Sequence, residues 1–493
     1  MRIPDLTRLF TAAINVDDLL TDLTAVAAVD RTQGSAGLDR LADDIAANAE
    51  RAGLSVQLRR YPPAAPESRW WNFTAPAAKS PVLGAIQIAG EPRPVTSYPA
   101  VPCSLARGSA HTPPDGITAP LIDLNHADRG PLAGALVICP PMPRFAVGTL
   151  IAQLTAAGAA GFALESARRQ GCDDTLVERL EVPDTCALVA FSISPAQADR
   201  LRAAASTATN AIVYARHQPP AAMPLVYART PTGPDQRSAL LLAHLCHPGP
   251  GADDNASGVA ALLGIARASQ RLYAEHAGPD LRFLWAPEMV GTAAYLHDIA
   301  DQPHERPDFA LSVDMIGGDP HQCGGVLNIE QSPDHLPSPL AGALEAAARA
   351  VTPLAVSYSG AVTVPTSPRA VVPFVGASDH LLFADRRIGI PAGHITRWPN
   401  RLHHSSHDTT ATTSPQELHR NAVTIAAAST ALCLGGAALT DIATAMYDLA
   451  VQRLVTAVSD DLAGTGPLTE AASPRAAQRD RLRRTHAAAD AAF

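Results

Sequence analysis

The chain has 493 residues, of which 47% are hydrophobic, and a formal net charge of −9, so it can form two or three domains with sizeable cores. An acidic chain without a basic stripe lacks the footprint of a nucleic-acid-binding protein, and no nucleic-acid partner is expected. The N-terminus has no basic start followed by an apolar core, and the seven cysteines have no paired spacing. Both features favour a cytoplasmic protein without a secretory signal or a disulfide framework.

The first 80 residues predict the N-terminal part of a main domain. Residues 1–30 are typical of amphipathic helices, and 38–52 have apolar residues at helical spacing, followed by Gly53 as a stop. The alternation over 54–58 predicts a strand.

From about residue 81 the composition changes, which predicts a separate unit. Prolines are dense, short β-like runs follow one another, and residues 134–164 have a strand–helix–strand pattern. We therefore predict a smaller β-rich domain inserted at 81–225, with a proline-rich return segment at 218–234.

Apolar strands and helical stretches alternate over residues 226–458, which predicts the core of the main domain. Such alternation is typical of an α/β fold with a mixed, mostly parallel sheet sandwiched by helices. The predicted strands are 238–243, 281–286, 309–313, 326–330, 371–375 and 388–395, and the predicted helices are 255–273, 290–300, 338–351, 378–385 and 415–435. Residues 459–493 form an Ala/Arg-rich tail without recognisable chemistry.

Two uncharged stretches, residues 145–164 and 421–440, approach the length of a membrane span. Both are rich in small residues and only mildly apolar, so we interpret them as buried helices and expect no membrane contact.

Candidate metal ligands follow four of the predicted strands. The carboxyl ends of parallel strands meet at one edge of a sheet, where ligands bind. Imidazole and carboxylate donors without a thiolate cluster are typical of an open zinc site, and a bridging carboxylate would allow two ions. The candidates are His244, His247 and Asp254 after the first strand, Glu288 after the second, Asp314 after the third, and His404, His407 and Asp408 after the last.

Each candidate alone has a simpler explanation. Asp254 or Asn255 could cap a helix, Glu288 could be a surface carboxylate, and the histidines at 403–407 could belong to a polar loop. Asp314 lies between apolar residues, and a buried carboxylate needs a partner. Their joint occurrence at four strand ends predicts a metal site.

Five segments resemble, in order, the motifs of a known family, the co-catalytic zinc aminopeptidases, which includes bacterial leucyl aminopeptidases, glutamate carboxypeptidase and glutaminyl cyclase. The segments are Gly251-Ala-Asp-Asp-Asn-Ala-Ser-Gly258, Val313-Asp-Met-Ile-Gly317, Ser378-Asp-His380, Gly389-Ile-Pro-Ala392 and His404-Ser-Ser-His-Asp-Thr409. The resemblance covers nearly the whole chain except the C-terminal tail. Residues 81–225 are similar to the protease-associated domain that many members carry as an insertion.

The resemblance implies that Asp254 is the bridging carboxylate, Asp314 a ligand of one zinc ion and His404 a ligand of the other. Family members usually have His-x-Asp at the first strand end, but here His244-Leu-Cys246 is followed by His247. The Cys-His-Pro sequence resembles an aminopeptidase-like sub-branch and favours His247 over His244 as the ligand.

A second departure concerns the family's Glu-Glu pair, a general base followed by a metal ligand, because this chain has Pro287-Glu288. Glu288 is then either the base, with a site that can hold a single metal, or a ligand, with Asp379, His380 or His407 as the base. His380 or His407 could also stabilise an oxyanion, and Asp408 could orient imidazole ligands.

The resemblance implies a hydrolase with one or two Zn²⁺ ions that cleaves a peptide or amide bond. An aminopeptidase acting on short peptides or on an amide-linked metabolite fits best, and a homo-oligomer is compatible with the sequence. Two alternatives stay open: a degenerate scaffold that binds without hydrolysis, and acyl transfer of the glutaminyl-cyclase type. Arg397 is a candidate for pairing with a substrate carboxylate, or a surface arginine.

Overall fold

The computed structural model describes residues 1–463, except 78, 127–129, 232–236, 275–277, 353, 357 and 361–362. The predicted tail therefore lies outside the described residues from 464 onward. The strands are β1 (Ser55–Tyr61), β2 (Arg69–Trp70), β3 (Phe73–Thr74), β4 (Ser80–Ile88), β5 (Thr96–Tyr98), β6 (Ile117–Asp123), β7 (Leu136–Cys139), β8 (Gly161–Glu165), β9 (Val189–Ile193), β10 (Asn210–Gln218), β11 (Met223–Arg229), β12 (Ser238–His244), β13 (Asp280–Ala286), β14 (Phe309–Val313), β15 (Val326–Glu330), β16 (Leu354–Val356), β17 (Thr363–Pro365), β18 (Arg369–Val372) and β19 (Ala392–Trp398). The helices are α1 (Ile3–Ala13), α2 (Val16–Ala27), α3 (Ala36–Arg51), α4 (Arg144–Ala156), α5 (Pro195–Ser206), α6 (Gly258–Tyr273), α7 (Val290–Asp298), α8 (Pro320–Cys323), α9 (Leu340–Val351), α10 (His380–Phe383), α11 (Pro415–Leu434) and α12 (Ala438–Ala463).

The main sheet has eight strands in the order β1-β11-β13-β12-β14-β19-β15-β18. Its centre, β13-β12-β14-β19, is parallel. The pairs β1-β11, β11-β13 and β19-β15 are antiparallel, and the edge pair β15-β18 is parallel. Every residue of β12, β13 and β14 is buried, because their continuous apolar runs pack against helices on both faces. The predicted α/β fold with a mixed sheet is confirmed.

A second sheet, which we call the small sheet, has seven strands in the order β5-β4-β10-β6-β7-β8-β9. All its strands fall within residues 80–218, its half from β6 to β9 is parallel, and α4 connects β7 to β8. Separate apolar clusters lie on its two faces. Its relation to protease-associated domains and the predicted domain boundaries remain predictions.

The structure shortens two predicted elements next to the candidate ligands. The helix predicted at 255–273 begins at Gly258, because the backbone of Asp254 and Asn255 is not helical. The strand predicted at 371–375 ends at Val372, because the N–H groups of Val375 and Gly376 donate to the Glu330 carboxylate instead of a neighbouring strand.

Among the described residues, no single helix is long and apolar enough to cross a membrane. Only α11 together with the part of α12 up to Ser459 meets the length and composition test, and the two are bent by 114°.

Candidate metal centre

Asp254 lies between two groups of potential metal ligands at the carboxyl edge of the main sheet. The first, which we call the oxygen-rich triad, consists of His244, Asp254 and Asp314. His244 ends β12 and Asp314 follows β14, so these neighbouring parallel strands deliver both side chains to one place. The His244 Nε2 atom is 3.2 Å from Asp254 Oδ1 and 3.4 Å from Asp314 Oδ2.

The second group, the nitrogen-rich triad, consists of His247, Asp254 and His404. The Nε2 atoms of His247 and His404 are 3.3 and 3.2 Å from the same oxygen, Asp254 Oδ2. The two carboxylate oxygens of Asp254 therefore face different triads. This is the arrangement expected of a carboxylate that bridges two ions.

Binding of a metal ion would satisfy the donor atoms of the two triads better than hydrogen bonds among them do. His244 Nε2, His247 Nε2, Asp254 Oδ2 and Asp314 Oδ1 are buried, and none has a hydrogen-bond partner within the described part of the chain. Buried polar atoms are normally paired, so a set of unpaired imidazole nitrogens and carboxylate oxygens around one carboxylate calls for a cation. Imidazole and carboxylate donors suit Zn²⁺.

The charges at Asp254 are strongly coupled. Burial alone would raise the pKa of Asp254, but the neighbouring His247 and His244 hold it well below its usual range. Burial alone would lower the pKa of His244, but Asp314 and Glu288 hold it well above its usual range. The carboxylate is therefore ionised, as metal coordination requires.

The chain orients His244 without the aspartate of the family motif. Its Nδ1 atom lies 3.1 Å from the backbone oxygen of Cys246, so an Nδ1–H donor leaves Nε2 free to face the two aspartates. The Cys246 side chain has a different contact, because its sulfur accepts hydrogen bonds from the N–H of Glu288 at 3.2 Å and the amide of Gln33 at 3.3 Å.

Two side chains hold the turn that carries Asp254. Asp408 accepts hydrogen bonds from the backbone N–H groups of Asp253 at 2.8 Å and Asp254 at 2.9 Å. Arg31, fully buried, donates to the backbone oxygens of Gly251 at 2.6 Å and Asp254 at 3.2 Å. Asp408 was expected to orient an imidazole, but the described contacts show it positioning the backbone of the bridging residue.

Glu288 belongs to neither triad. Its Oε1 atom lies 3.2 Å from Ser378 Oγ, which is itself 3.3 Å from Asp314 Oδ2. Its segment is also anchored, because the N–H of Met289 donates to Asp379 at 2.6 Å. Glu288 is therefore linked to the oxygen-rich triad by the Ser378 hydroxyl, which contacts the carboxylates of both Glu288 and Asp314.

The structure does not bring the other candidates into the triads. His380 hydrogen-bonds Glu330 at 2.7 Å. His407 contacts residues 80–218, which contain the small sheet and which we call the small-sheet region. Its Nε2 atom lies 3.3 Å from Thr175 Oγ1. Arg397 is fully buried and pairs with Glu417 at 2.6 Å, so it is neither a surface residue nor available to a substrate.

The sequence did not predict that the small-sheet region supplies side chains at the centre. The guanidinium of Arg144 lies 2.8 Å from His404 Nδ1, and that of Arg179 lies 3.3 Å from His404 Nε2. Both arginines line a cavity of about 460 Å³. His403 was also missed as a neighbour of the bridge, since its ring stacks on His404 and its Nε2 atom is 3.6 Å from Asp254 Oδ2.

The model of peptidase family M28 matches residues 225–429, which include both triads. Among solved structures, a zinc aminopeptidase from Bacillus subtilis is 17% identical with a TM-score of 0.58, over 84% of this chain and 94% of that chain. A putative peptidase from Clostridium acetobutylicum is 15% identical with a TM-score of 0.60, over 86% of this chain and 82% of that chain.

A peptidase M28 precursor from Shewanella amazonensis is 17% identical with a TM-score of 0.58, over 87% of this chain and 95% of that chain. At these identities the likeness establishes the fold. No curated protein matches the chain.

Proposed function

Because the model of peptidase family M28 matches residues 225–429, we propose that the chain is a zinc-dependent hydrolase that cleaves a peptide or amide bond. One observation carries this proposal beyond the fold: the two oxygens of Asp254 face two different triads. In these triads His244 Nε2, His247 Nε2 and Asp314 Oδ1 are buried without a hydrogen-bond partner among the described residues. A degenerate scaffold that binds its partner without hydrolysis would not require two complete triads of metal ligands.

The oxygen-rich and nitrogen-rich triads would each hold one zinc ion, with Asp254 common to both. When bound, zinc lowers the pKa of a coordinated water and polarises the scissile carbonyl. His247 would take the ligand position that the family's second glutamate fills, and His244 would serve the other ion. On this assignment both histidines are ligands, and Glu288 is free for another task.

Glu288 is the proposed general base. It lies outside both triads and is held next to the oxygen-rich one through Ser378, which is the position from which a carboxylate can take the proton of the attacking water. Glu288 then delivers that proton to the leaving amine, which makes the amine a better leaving group.

A short peptide with a free N-terminus or an amide-linked metabolite is the proposed substrate. The cavity lined by Arg144 and Arg179, the two arginines that contact His404, supports this by offering space close to the metal centre. We also propose that the protein is cytoplasmic, that the small sheet belongs to a protease-associated domain and that the chain forms a homo-oligomer.

The proposal is tested by turnover of the purified full chain against aminoacyl amides, dipeptides, glutaminyl peptides and acylated amino acids. We expect hydrolysis of at least one class, its loss in a chelator and its return with added zinc. Binding of zinc without any turnover across the panel would contradict the proposal, and a cyclised product without hydrolysis would replace it with acyl transfer.

A further inference from the structure

A second set of potential metal ligands, which we call the inner cluster, shares no residue with the two triads. It consists of Glu330, His380 and His394, exposed by 4%, 0% and 4%. Glu330 and His394 are paired in register on the antiparallel strands β15 and β19, so their side chains lie on the same face of the sheet. His380 begins α10.

The donors of the inner cluster converge from three elements. Their ligand atoms lie within 4.8 Å of one another. His380 Nε2 is 2.7 Å from Glu330 Oε1, and His394 Nδ1 is 3.7 Å from Glu330 Oε2. The two imidazole rings are stacked, with their centroids 4.6 Å apart.

Hydrogen bonds within the described part of the chain do not satisfy the buried ring nitrogens of His380 and His394. Both nitrogens of His394 and the Nδ1 atom of His380 are buried, and they have no hydrogen-bond partner among the described residues. Such atoms destabilise a fold unless a water or an ion pairs with them. The bond to Glu330 satisfies only one of the four ring nitrogens.

The protonation states suit a cation as well. Burial lowers the pKa of His380, so its ring is neutral. Burial alone would raise the pKa of Glu330, but the neighbouring His380 and His394 side chains hold it well below its usual range. A neutral imidazole and an ionised carboxylate are the forms that bind metals.

We propose that Glu330, His380 and His394 bind a third divalent cation, for which Zn²⁺ suits the two imidazole donors and one carboxylate. This site does not depend on the proposed hydrolase activity. The ion joins β15, β19 and α10, and it fixes the segment just before α10. In that segment Ser378 and Asp379 contact Glu288 and Met289, so the ion acts as a positioning element for the proposed base.

Zinc content per chain tests this site without any activity assay. The background is Asp254→Asn, which removes the carboxylate common to both triads. After zinc loading and dialysis, this variant is expected to retain one zinc ion by elemental analysis. Adding Glu330→Gln, or separately His394→Gln, is expected to remove that ion, whereas adding His304→Gln at an exposed surface histidine leaves it in place.

A thermal melt provides the second readout and checks that each variant folds. Added Zn²⁺ is expected to raise the melting temperature of the Asp254→Asn chain but not that of a folded double variant. The proposal is overturned if the Asp254→Asn chain keeps no zinc, or if it keeps an ion that survives both inner-cluster substitutions. Because turnover is not measured, failure of the hydrolase proposal leaves this result unaffected.

Discussion

The two triads that share Asp254 differ in their donors and in what holds them. The oxygen-rich triad adds Asp314 and His244, both placed directly by neighbouring parallel strands. The nitrogen-rich triad adds His247 and His404, both placed by loops beyond β12 and β19. One triad is therefore built into the sheet, and the other depends on how two loops pack.

The loops of the nitrogen-rich triad are held by regions distant in sequence. The backbone of His247 pairs with Arg31, with both hydrogen bonds at 3.1 Å, and the His404 oxygen accepts the N–H of Arg179 at 2.8 Å. The N-terminal region and the small-sheet region thus hold both loops of this half, whereas His244 and Asp314 of the other half come directly from strands of the main sheet. We expect the two halves to respond differently to perturbation.

The largest expected effect comes from Asp254→Asn, because this residue is the only one common to both halves. The amide is a weaker metal ligand and carries no charge, so both triads should lose their ions. Elemental analysis should show two zinc ions fewer per chain than in the unmodified protein, and turnover should fall below detection. Retention of either ion would show that the halves do not share this carboxylate.

Glu288→Gln separates chemistry from metal binding. Since Glu288 lies outside both triads, both ions should stay, while kcat falls by about 10²–10⁴-fold, the usual contribution of a general base. Kinetics and metal content are measured on the same preparation. A parallel loss of zinc would instead make Glu288 a ligand.

His247→Ala distinguishes the two halves directly. It should release the ion of the nitrogen-rich triad and leave the one held by Asp314 and His244, because none of the oxygen-rich ligands is changed. Elemental analysis should show one ion fewer, and His304→Ala serves as the matched surface control. Loss of both ions, or of neither, would contradict two separately held positions.

Gly251→Ala should weaken both halves, with the larger effect on the nitrogen-rich half. Gly251 has a φ of 51°, which costs an alanine about 1–2 kcal/mol. An added Cβ would lie 2.3 Å from the backbone oxygen of Asp254 and 2.4 Å from His247 Nδ1. We expect zinc affinity at that half to fall about 10-fold, as for other changes to groups that orient metal ligands. Gly148→Ala, in a helix with open space around it, is the control and should leave metal binding unchanged in a zinc titration.

The oxygen-rich half could be predicted from the sequence for a physical reason. Short continuous apolar runs that alternate with helical stretches are typical of central parallel strands, and the polar residues that follow such strands lie at the same edge of the sheet. Asp254 and Asp314 were placed this way, and the family resemblance added their roles.

The nitrogen-rich half could not be predicted in the same detail, because its geometry depends on contacts between distant segments. The sequence favoured His247 over His244, whereas the structure places each in a different triad. Nothing in the local sequence around Arg31 or Arg179 indicated contact with the centre. The inner cluster could not be predicted for the same reason, because Glu330 and His394 are brought together by the register of β15 and β19.

The central claim, that Asp254 is shared by two metal positions, is tested most directly by X-ray diffraction at the zinc absorption edge from crystals of the zinc-loaded chain. The anomalous difference map is expected to show two peaks in contact with Asp254, one beside His244 and Asp314 and the other beside His247 and His404. A single peak there, or two peaks of which only one contacts Asp254, would contradict the account.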